Sequence, residues 1–509
     1  MPIESLISKR ASGRTSGHFT QGPKDQPPKG FKPHSNPLAL SYGTPNDGFF
    51  PIDSIDINLV EYPFEHVVKI NSITKNSLEN LHLTGSSNGV QTKTPPLDSK
   101  NSVHIERHTS DPNIIDLSNG LQYANVAGHR PLLNFTKEFI KKTHNPNYSN
   151  WDSILTTGAS DGLNKACDAI LDKDDVILIE EFTFAPFLRF SSHTGAKAIP
   201  IKLDLNAESQ GINYEYLKDL LENWPDDLPK PKALYTIATG QNPIGTTQTL
   251  ELRNKIYELA VKHDFIIIED DPYGYLTLPK YRKPEIGLHF KLNDFITIED
   301  YLQNHLTPSY LELDTEGRVI RVETFSKLFA PGLRLGFVIA HEKVINAIRN
   351  YSEIVNRGSS GLSQLIVNNV IQQHFKGVDG WLQWIFKMRL TYSHRKDLLL
   401  STIFESEAYN RGLVDVIDPK AGMFATLKIN FPKDVNVIEK MKLLEWKFIA
   451  NGVLAVPSFN MAVDKKFSEN RCDFFRLCYA PANDDEELIE GGQRLVKSVL
   501  EFFDNNLQF

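Results

Sequence analysis

Cysteine is scarce in this sequence, which has only Cys167, Cys472 and Cys478 among its 509 residues. The three show neither the paired spacing of a metal site nor the even number typical of a disulfide framework. That pattern favours a reducing, intracellular compartment, and no metal is expected. A signal-peptide apolar region is also lacking, and the first ten residues, with Glu4 among them, make a poor transit peptide. We therefore expect a cytoplasmic location.

An excess of positive charge and a long apolar run are both missing. The formal net charge is −8, so we expect neither nucleic acid nor an anionic membrane as a partner. No apolar stretch reaches the length of a transmembrane helix. No G-x-G-x-x-G follows a predicted strand, which disfavours a nucleotide-binding dehydrogenase.

The rest of the composition is that of an ordinary globular protein, with 40% hydrophobic and 10% aromatic residues. Its length suits two domains. We predict an N-terminal arm over 1–40, an N-terminal segment of a small domain with a surface insertion over 41–115, and a large cofactor-binding domain over 116–350. An insertion at 281–316 interrupts the large domain. Linking helices and the C-terminal part of the small domain are predicted over 351–509.

Apolar runs alternate with helical patterns through the middle of the chain. They predict about seven strands, near 152–157, 176–179, 198–201, 233–238, 265–268, 319–322 and 335–339. Near-continuous apolar strands that alternate with helices are typical of a mostly parallel sheet covered on both faces. The predicted fold class is therefore α/β, with a smaller α+β region that holds strands near 422–427 and 474–478.

One strand end combines a lysine with residue types that bind phosphate. After the strand at 319–322 come Thr324, Ser326 and Lys327, and Arg334 follows seven residues later. A lysine beside aromatic side chains can lose hydration, which lowers its pKa and makes its amine nucleophilic. Hydroxyl and guanidinium groups suit a phosphate dianion. The stretch suggests a Schiff-base lysine that holds pyridoxal phosphate, although alone it also fits a surface lysine after a core strand.

Three more strand ends carry polar residues suited to that cofactor. Ala159 and Ser160 stand at a predicted helix N-terminus, where backbone N–H groups favour a phosphate. Asn242 precedes a proline, and its amide can donate to a phenolic oxygen. Asp270 and Tyr273 follow another strand, and a carboxylate opposite a pyridine nitrogen would keep that nitrogen protonated. Ligands gather at such strand ends, so we expect one shared site, although each motif alone also fits an ordinary turn or cap.

Taken in this order, the motifs resemble the fold type I pyridoxal-phosphate aminotransferases of the aspartate-aminotransferase superfamily. The sequence looks most like their aromatic-amino-acid and kynurenine/aminoadipate branch, from about residue 38 onward, with insertions similar to those of fungal members. The resemblance implies catalytic roles for Lys327, Asp270 and Tyr273. It implies cofactor contacts from Ala159, Ser160, Phe184, Asn242, Asp270, Tyr273, Thr324, Ser326, Lys327, Arg334 and Tyr123. It implies substrate contacts from Arg476, Gly43, Tyr123 and Asn242.

Several of these roles are specific. Phe184 falls where relatives stack an aromatic ring, often a tyrosine, on the pyridine ring. Tyr123 resembles the tyrosine that reaches the phosphate of the neighbouring subunit, which implies a homodimer with shared sites. Arg476 matches the clamp for the substrate α-carboxylate. In that branch an arginine of the arm can help to cover the substrate, but the pattern around Arg10 and Arg14 departs from the family's, so neither is assigned.

The implied function is transamination of aromatic amino acids with a 2-oxo acid such as 2-oxoglutarate or phenylpyruvate. Kynurenine and 2-aminoadipate are further candidate donors, and the reaction would run in ping-pong order through an aldimine on Lys327. A lyase of the same fold shares the cofactor residues and is an alternative. A cofactor-sensing regulator would need a DNA-binding domain that the short arm does not provide. Tyr42, Phe424 and Phe459 fit a substrate pocket or the core.

Overall fold

The computed structural model describes residues 3–14, 26–32, 34–36, 43–61, 63, 101–206, 211–284 and 296–509. Much of the predicted arm, most of the insertion before residue 101, and Tyr42 lie outside these ranges.

The described strands form three sheets. The large sheet holds β3 (Trp151–Thr156), β4 (Val176–Glu180), β5 (Lys197–Ile201), β6 (Pro231–Thr236), β7 (Ile266–Asp270), β8 (Val319–Thr324) and β9 (Gly336–His341). A two-stranded sheet pairs β1 (Ile55–Asn58) with β2 (Ser102–Ile105). A four-stranded sheet holds β10 (Val414–Ile417), β11 (Phe424–Ile429), β12 (Val456–Pro457) and β13 (Phe474–Cys478).

The large sheet has seven strands in the order β3-β9-β8-β7-β6-β4-β5. The strands from β8 to β5 run parallel to their neighbours. β9 is antiparallel to both β3 and β8. β8 and β9 are joined by residues 325–335, a connection too short for a crossover, so they cannot be parallel. The predicted α/β fold with a mostly parallel sheet is confirmed.

Helices connect and cover these strands. In chain order they are α1 (Lys9–Ser12), α2 (Leu117–Gly120), α3 (Arg130–Thr143), α4 (Ala159–Ile170), α5 (Phe187–His193), α6 (Tyr214–Glu222), α7 (Leu250–His263), α8 (Ile298–Asp300), α9 (Tyr310–Leu313), α10 (Glu342–Val355), α11 (Gly361–Asn369), α12 (Val378–Phe404), α13 (Glu407–Asn410), α14 (Val437–Ala450) and α15 (Asp485–Asp504). α4 contacts α5, α10 and the sheet, and α7 and α9 pack together against β7 and β8. Every residue of β4, β7, β8 and β9 is buried, which explains why these strands are largely apolar.

The four-stranded sheet, called the small sheet from here on, is antiparallel throughout, in the order β10-β11-β13-β12. α15 packs against both α12 and α14 beside it. The domain boundaries at 40, 115 and 350 stay predictions. No helix in the described ranges is long and apolar enough to cross a bilayer.

The first part of the predicted arm is folded, which the sequence did not indicate. Ile3, Leu6 and Ala11 are buried, and α1 contacts α4 and α10. Arg10 and Arg14 both form ion pairs with Asp168 near the end of α4. The apolar side chains and these two ion pairs dock residues 3–14, and they give both arginines a partner away from the N-terminus of α4.

Candidate functional site

A cavity at the carboxyl ends of the large sheet gathers most of the predicted site residues. It is lined by Ala159, Ser160, Leu163, Phe184, Ile237, Asn242, Asp270, Pro272, Tyr273, Thr324, Ser326, Lys327, Pro331 and Arg334. The lining residues come from the last residues of β7 and β8, from the segments that follow β4, β6, β7 and β8, and from the start of α4. Parallel strands bring their carboxyl ends to one edge, so residues far apart in sequence meet there.

Lys327 lies three residues beyond the end of β8, on the wall of this cavity. Burial lowers the pKa of Lys327 below its usual value, and the charges of Arg334 and Arg476 act in the same direction. Among the described residues, its amine forms no hydrogen bond or ion pair. A partly dehydrated amine with a lowered pKa can act as a nucleophile or a base.

The start of α4 forms a polar end of the cavity. Gly158 caps the helix with φ +78, and a Cβ there would lie 2.6 Å from Nη2 of Arg334. Glycine therefore lets the guanidinium approach the helix N-terminus, where backbone N–H groups favour an anion. The hydroxyl of Thr324 donates a hydrogen bond to Oγ of Ser326 at 2.9 Å, and both side chains line the same cavity.

Asp270 ends β7, and its two carboxylate oxygens have different surroundings. Oδ2 accepts a hydrogen bond of 2.7 Å from the hydroxyl of Tyr235. Oδ1 is buried and has no hydrogen-bond partner among the described residues. Burial raises the pKa of Asp270 to about 7, although the hydrogen bond from Tyr235 acts to lower that pKa. A cationic N–H donor beside Oδ1 would favour the ionised carboxylate.

Arg476 reaches from the small sheet to this edge. Its Nη1 donates to Oδ1 of Asn242 at 2.8 Å, and its guanidinium lies 4.3 Å from the ring centre of Phe424. Nε of Arg476 is buried without a hydrogen-bond partner among the described residues. Tyr273 meets Phe424 edge to face at 5.7 Å, and the Asn242-Pro243 peptide is cis. The planar fork of Arg476 thus keeps donors for a carboxylate.

Three predicted residues are not among those that line this cavity. Arg476 is bonded to the lining residue Asn242, whereas Tyr123 and Gly43 lie apart from the lining. Tyr123 is 73% exposed, and Gly43 is exposed, with no atom of the described chain within 4 Å of where a Cβ would stand. Phe459, considered for the substrate pocket, is buried beneath Lys442. Phe424, considered with it, contacts both Arg476 and Tyr273.

Sequence reasoning missed two buried partners of the site. Tyr235 stands out in the sequence only as part of an apolar strand, although a hydroxyl in a fully buried strand needs a hydrogen-bond partner, and that need was the available signal. Glu180 ends β4, and its carboxylate accepts hydrogen bonds from Thr236 and Gln241 at 2.5 and 2.8 Å. Burial raises the pKa of Glu180 to about 7. Gln241 thereby ties the segment before Asn242 to the sheet.

A buried ion network lies on the other face of β7 and β8. Arg321 pairs with Glu269, Asp271 and Glu323 at 3.1, 2.6 and 2.7 Å. Arg253 of α7 pairs with Glu269 at 3.2 Å. All five side chains are at most 2% exposed. Successive strand residues point to opposite faces, so Glu269 and Asp271 join this network while Asp270 does not.

Comparison with known proteins identifies the family to which the chain is similar. A family model described as aminotransferase class I and II matches residues 95–495. The crystal structure of the aromatic aminotransferase Aro9 from C. albicans is 61% identical, with 100% of both chains covered and a TM-score of 0.89. Aromatic amino acid aminotransferase 2 of Saccharomyces cerevisiae is 39% identical over 92% of this chain and 91% of its own length. The mitochondrial kynurenine/alpha-aminoadipate aminotransferase of Mus musculus is 31% identical over 76% of this chain and 84% of its own. The resemblance drawn from the motifs is confirmed.

Proposed function

This chain belongs to the class I and II aminotransferases, and from that membership we propose that it transfers amino groups from aromatic amino acids to 2-oxo acids. The C. albicans and S. cerevisiae relatives, which are named as aromatic aminotransferases, support this choice of donor. Kynurenine and 2-aminoadipate are further candidate donors, because the mouse relative is named for them. 2-Oxoglutarate and phenylpyruvate are the proposed acceptors.

The observation that carries the proposal is that Asp270 and Lys327 line the same cavity. Buried polar atoms are normally hydrogen-bonded, and Oδ1 of Asp270 lacks a partner among the described residues. A pyridinium N–H would satisfy it, so the residues fit pyridoxal phosphate as cofactor. When bound, that cofactor would supply a cationic ring that accepts the electron pair of the breaking Cα–H bond.

The proposed phosphate contacts surround the N-terminus of α4. A helix N-terminus, hydroxyl groups and a guanidinium together suit a dianion. They are provided by Ala159, Ser160, Thr324, Ser326 and Arg334. We propose that Tyr123 contacts the phosphate in a second copy of the chain, which makes the protein a homodimer. Its 73% exposure in the single chain supports this role.

Lys327 is the proposed covalent holder of the cofactor, through Nζ, and the base that moves the proton from the substrate Cα. A lowered pKa leaves more of its amine neutral near pH 7, which a base requires. Asp270 would hold the ring N–H through Oδ1, and Phe184 would stack on the ring. Asn242 and Tyr273 would bond its phenolic oxygen.

Arg476 is the proposed clamp for the substrate carboxylate. Its fork can bind a carboxylate through two parallel hydrogen bonds, which orients the Cα–H bond for proton removal. Asn242, already bonded to Arg476, would share that contact. A place for Gly43 beside the carboxylate stays a prediction, because in the single chain Gly43 is exposed and does not line the cavity. Phe424 next to the fork offers an apolar wall for an aromatic side chain.

Incubation with phenylalanine and 2-oxoglutarate tests the proposal. An aminotransferase forms glutamate and phenylpyruvate in equal amounts, whereas a lyase of this fold forms neither. Comparison of kcat/KM for phenylalanine, tyrosine, tryptophan, kynurenine and 2-aminoadipate then ranks the donors. A ranking led by 2-aminoadipate would refute the aromatic preference. The cytoplasmic location is a further part of the proposal, which the three free cysteines support.

A further inference from the structure

A buried hydrogen bond to which no role has been assigned lies behind Asp270. The hydroxyl of Tyr235 donates to Oδ2 of Asp270 at 2.7 Å, and both side chains are buried, at 0% and 3% exposure. Tyr235 is not among the residues that line the cavity. Its hydroxyl is connected to the cavity lining through the hydrogen bond to Asp270.

Strand register and ring stacking both hold this contact in place. Tyr235 in β6 pairs with Ile268 in β7, and residues two apart on a strand share a face, so Tyr235 and Asp270 lie on the same face. The ring of Phe187 in α5 stacks on that of Tyr235, with centroids 3.5 Å apart and planes at 7°. Strand register and stacking leave the hydroxyl little freedom to turn away.

The direction of this hydrogen bond follows from the chemistry of its two groups. Burial raises the pKa of Tyr235 well above its usual value, so the phenol keeps its proton and donates. Donation to a carboxylate is charge-assisted and favours the ionised form. It occupies Oδ2 alone and leaves Oδ1 unpaired within the described residues.

Charges near Asp270 oppose that effect. Asp271 follows it on the chain, and Glu180 ends the strand β4; both act to raise its pKa. Burial acts in the same direction and is the larger cause. Among the described groups that act on Asp270, the hydroxyl of Tyr235 is the one that lowers its pKa.

We propose that Tyr235 is a positioning residue, which holds the Asp270 carboxylate through Oδ2 so that Oδ1 faces the ring nitrogen of the cofactor. The inference rests on the proposed function, because it assigns a ring nitrogen to Asp270. Tyr235 thereby shifts the proton shared by Asp270 and that nitrogen toward the ring.

The test is Tyr235→Phe, which removes the hydroxyl and keeps the stacked ring. The holoenzyme is prepared with pyridoxal phosphate isotopically labelled at the ring nitrogen, and the NMR shift of that nitrogen reports its protonation. We expect the signal to move toward that of an unprotonated pyridine. We expect kcat to fall roughly 10- to 100-fold, the range for loss of a hydrogen bond to a charged group. KM for the amino acid should stay unchanged, because the hydroxyl of Tyr235 bonds to Asp270 and not to Arg476, the proposed carboxylate clamp.

Tyr257→Phe is the matched control. Tyr257 is a buried tyrosine whose hydroxyl donates to the carboxylate of Asp314 at 3.0 Å, outside the residues that line the cavity. Its loss lowers stability without moving the nitrogen signal. If Tyr235→Phe leaves the nitrogen signal where the wild type has it, Tyr235 is a core residue only and the inference is wrong. If wild-type protein binds no pyridoxal phosphate, the proposed function fails and the inference falls with it, so the two failures are distinct.

Discussion

Asp270 and its two sequence neighbours have opposite environments, although the three acidic residues are consecutive. Glu269 and Asp271 face the buried network, where Arg253 and Arg321 pair with them. Asp270 faces the cavity, where Oδ1 has no partner among the described residues. The paired face holds the sheet together, and the unpaired face is prepared for a ligand. Among these three consecutive acids, the unsatisfied oxygen therefore distinguishes the residue that faces the cavity, which charge alone does not.

The largest effect is expected from the cavity face. Lys327→Ala removes the proposed base and covalent holder, so multiple-turnover transamination should fall by on the order of 10⁴-fold. Stability should change little, because the amine is unpaired in the described structure. Activity is measured as glutamate formed from phenylalanine and 2-oxoglutarate. Lys262→Ala, which removes an exposed lysine paired with Glu222, is the control and should keep full activity. Continued turnover in Lys327→Ala would show that another residue is the base.

On the network face we expect loss of stability. Arg321→Met leaves Glu269, Asp271 and Glu323 buried without one of their cations, which should cost about 3–5 kcal/mol in the free energy of unfolding. Denaturant unfolding of the cofactor-free protein measures it. Arg318→Met, which removes ion pairs with Asp264 and Glu316, is a control with a smaller expected loss. Equal losses in the two variants would show that the network contributes no more to the free energy of unfolding than the ion pairs of Arg318 do.

Asp270→Asn should act oppositely on stability and activity. The carboxyl has a pKa of about 7 in the folded protein, against an ordinary value of 3.8. Between these pH values the unfolded chain is ionised and the folded protein holds its proton, so stability falls as pH rises. The amide should thus stabilise the cofactor-free protein by roughly 4 kcal/mol above pH 7, with little gain near pH 4. It should also lower kcat. Unfolding measured at both pH values decides; a gain equal at both would exclude ionisation as its cause.

The smallest effect is expected from a substitution that keeps the positive charge of Arg476 but replaces its planar guanidinium. Arg476→Lys retains the positive charge but loses the fork, so KM for the amino acid should rise about tenfold. Steady-state kinetics with phenylalanine measure KM and kcat separately. Arg471→Lys changes an arginine paired with Glu181 beyond the cavity lining and should leave KM as it is. An unchanged KM in Arg476→Lys would refute the carboxylate clamp.

Much of the fold could be predicted from the sequence, because buried parallel strands appear as continuous apolar runs. The strand ends could be predicted too, since a parallel sheet collects them at one edge. Ser160, Asn242, Asp270 and Lys327 were expected to meet on that basis, and they line one cavity.

The remaining contacts depend on register and on faces, which single-strand patterns do not encode. The approach of Tyr235 to Asp270 requires the alignment of β6 with β7. The network around Arg321 requires knowledge of which face each charge takes. The docking of Arg10 and Arg14 on Asp168 joins parts of the chain that no local pattern connects.

The short connection between β8 and β9 has a mechanical consequence. Lys327 and Arg334 both lie in this connection, which is anchored at each end by a strand of the large sheet. Arg476 belongs to the other sheet. A displacement of the small sheet would therefore alter the grip on the substrate carboxylate, while the two proposed anchor points of the cofactor kept their spacing. With the proposed roles of these residues, substrate fit and cofactor position would depend on two different sheets.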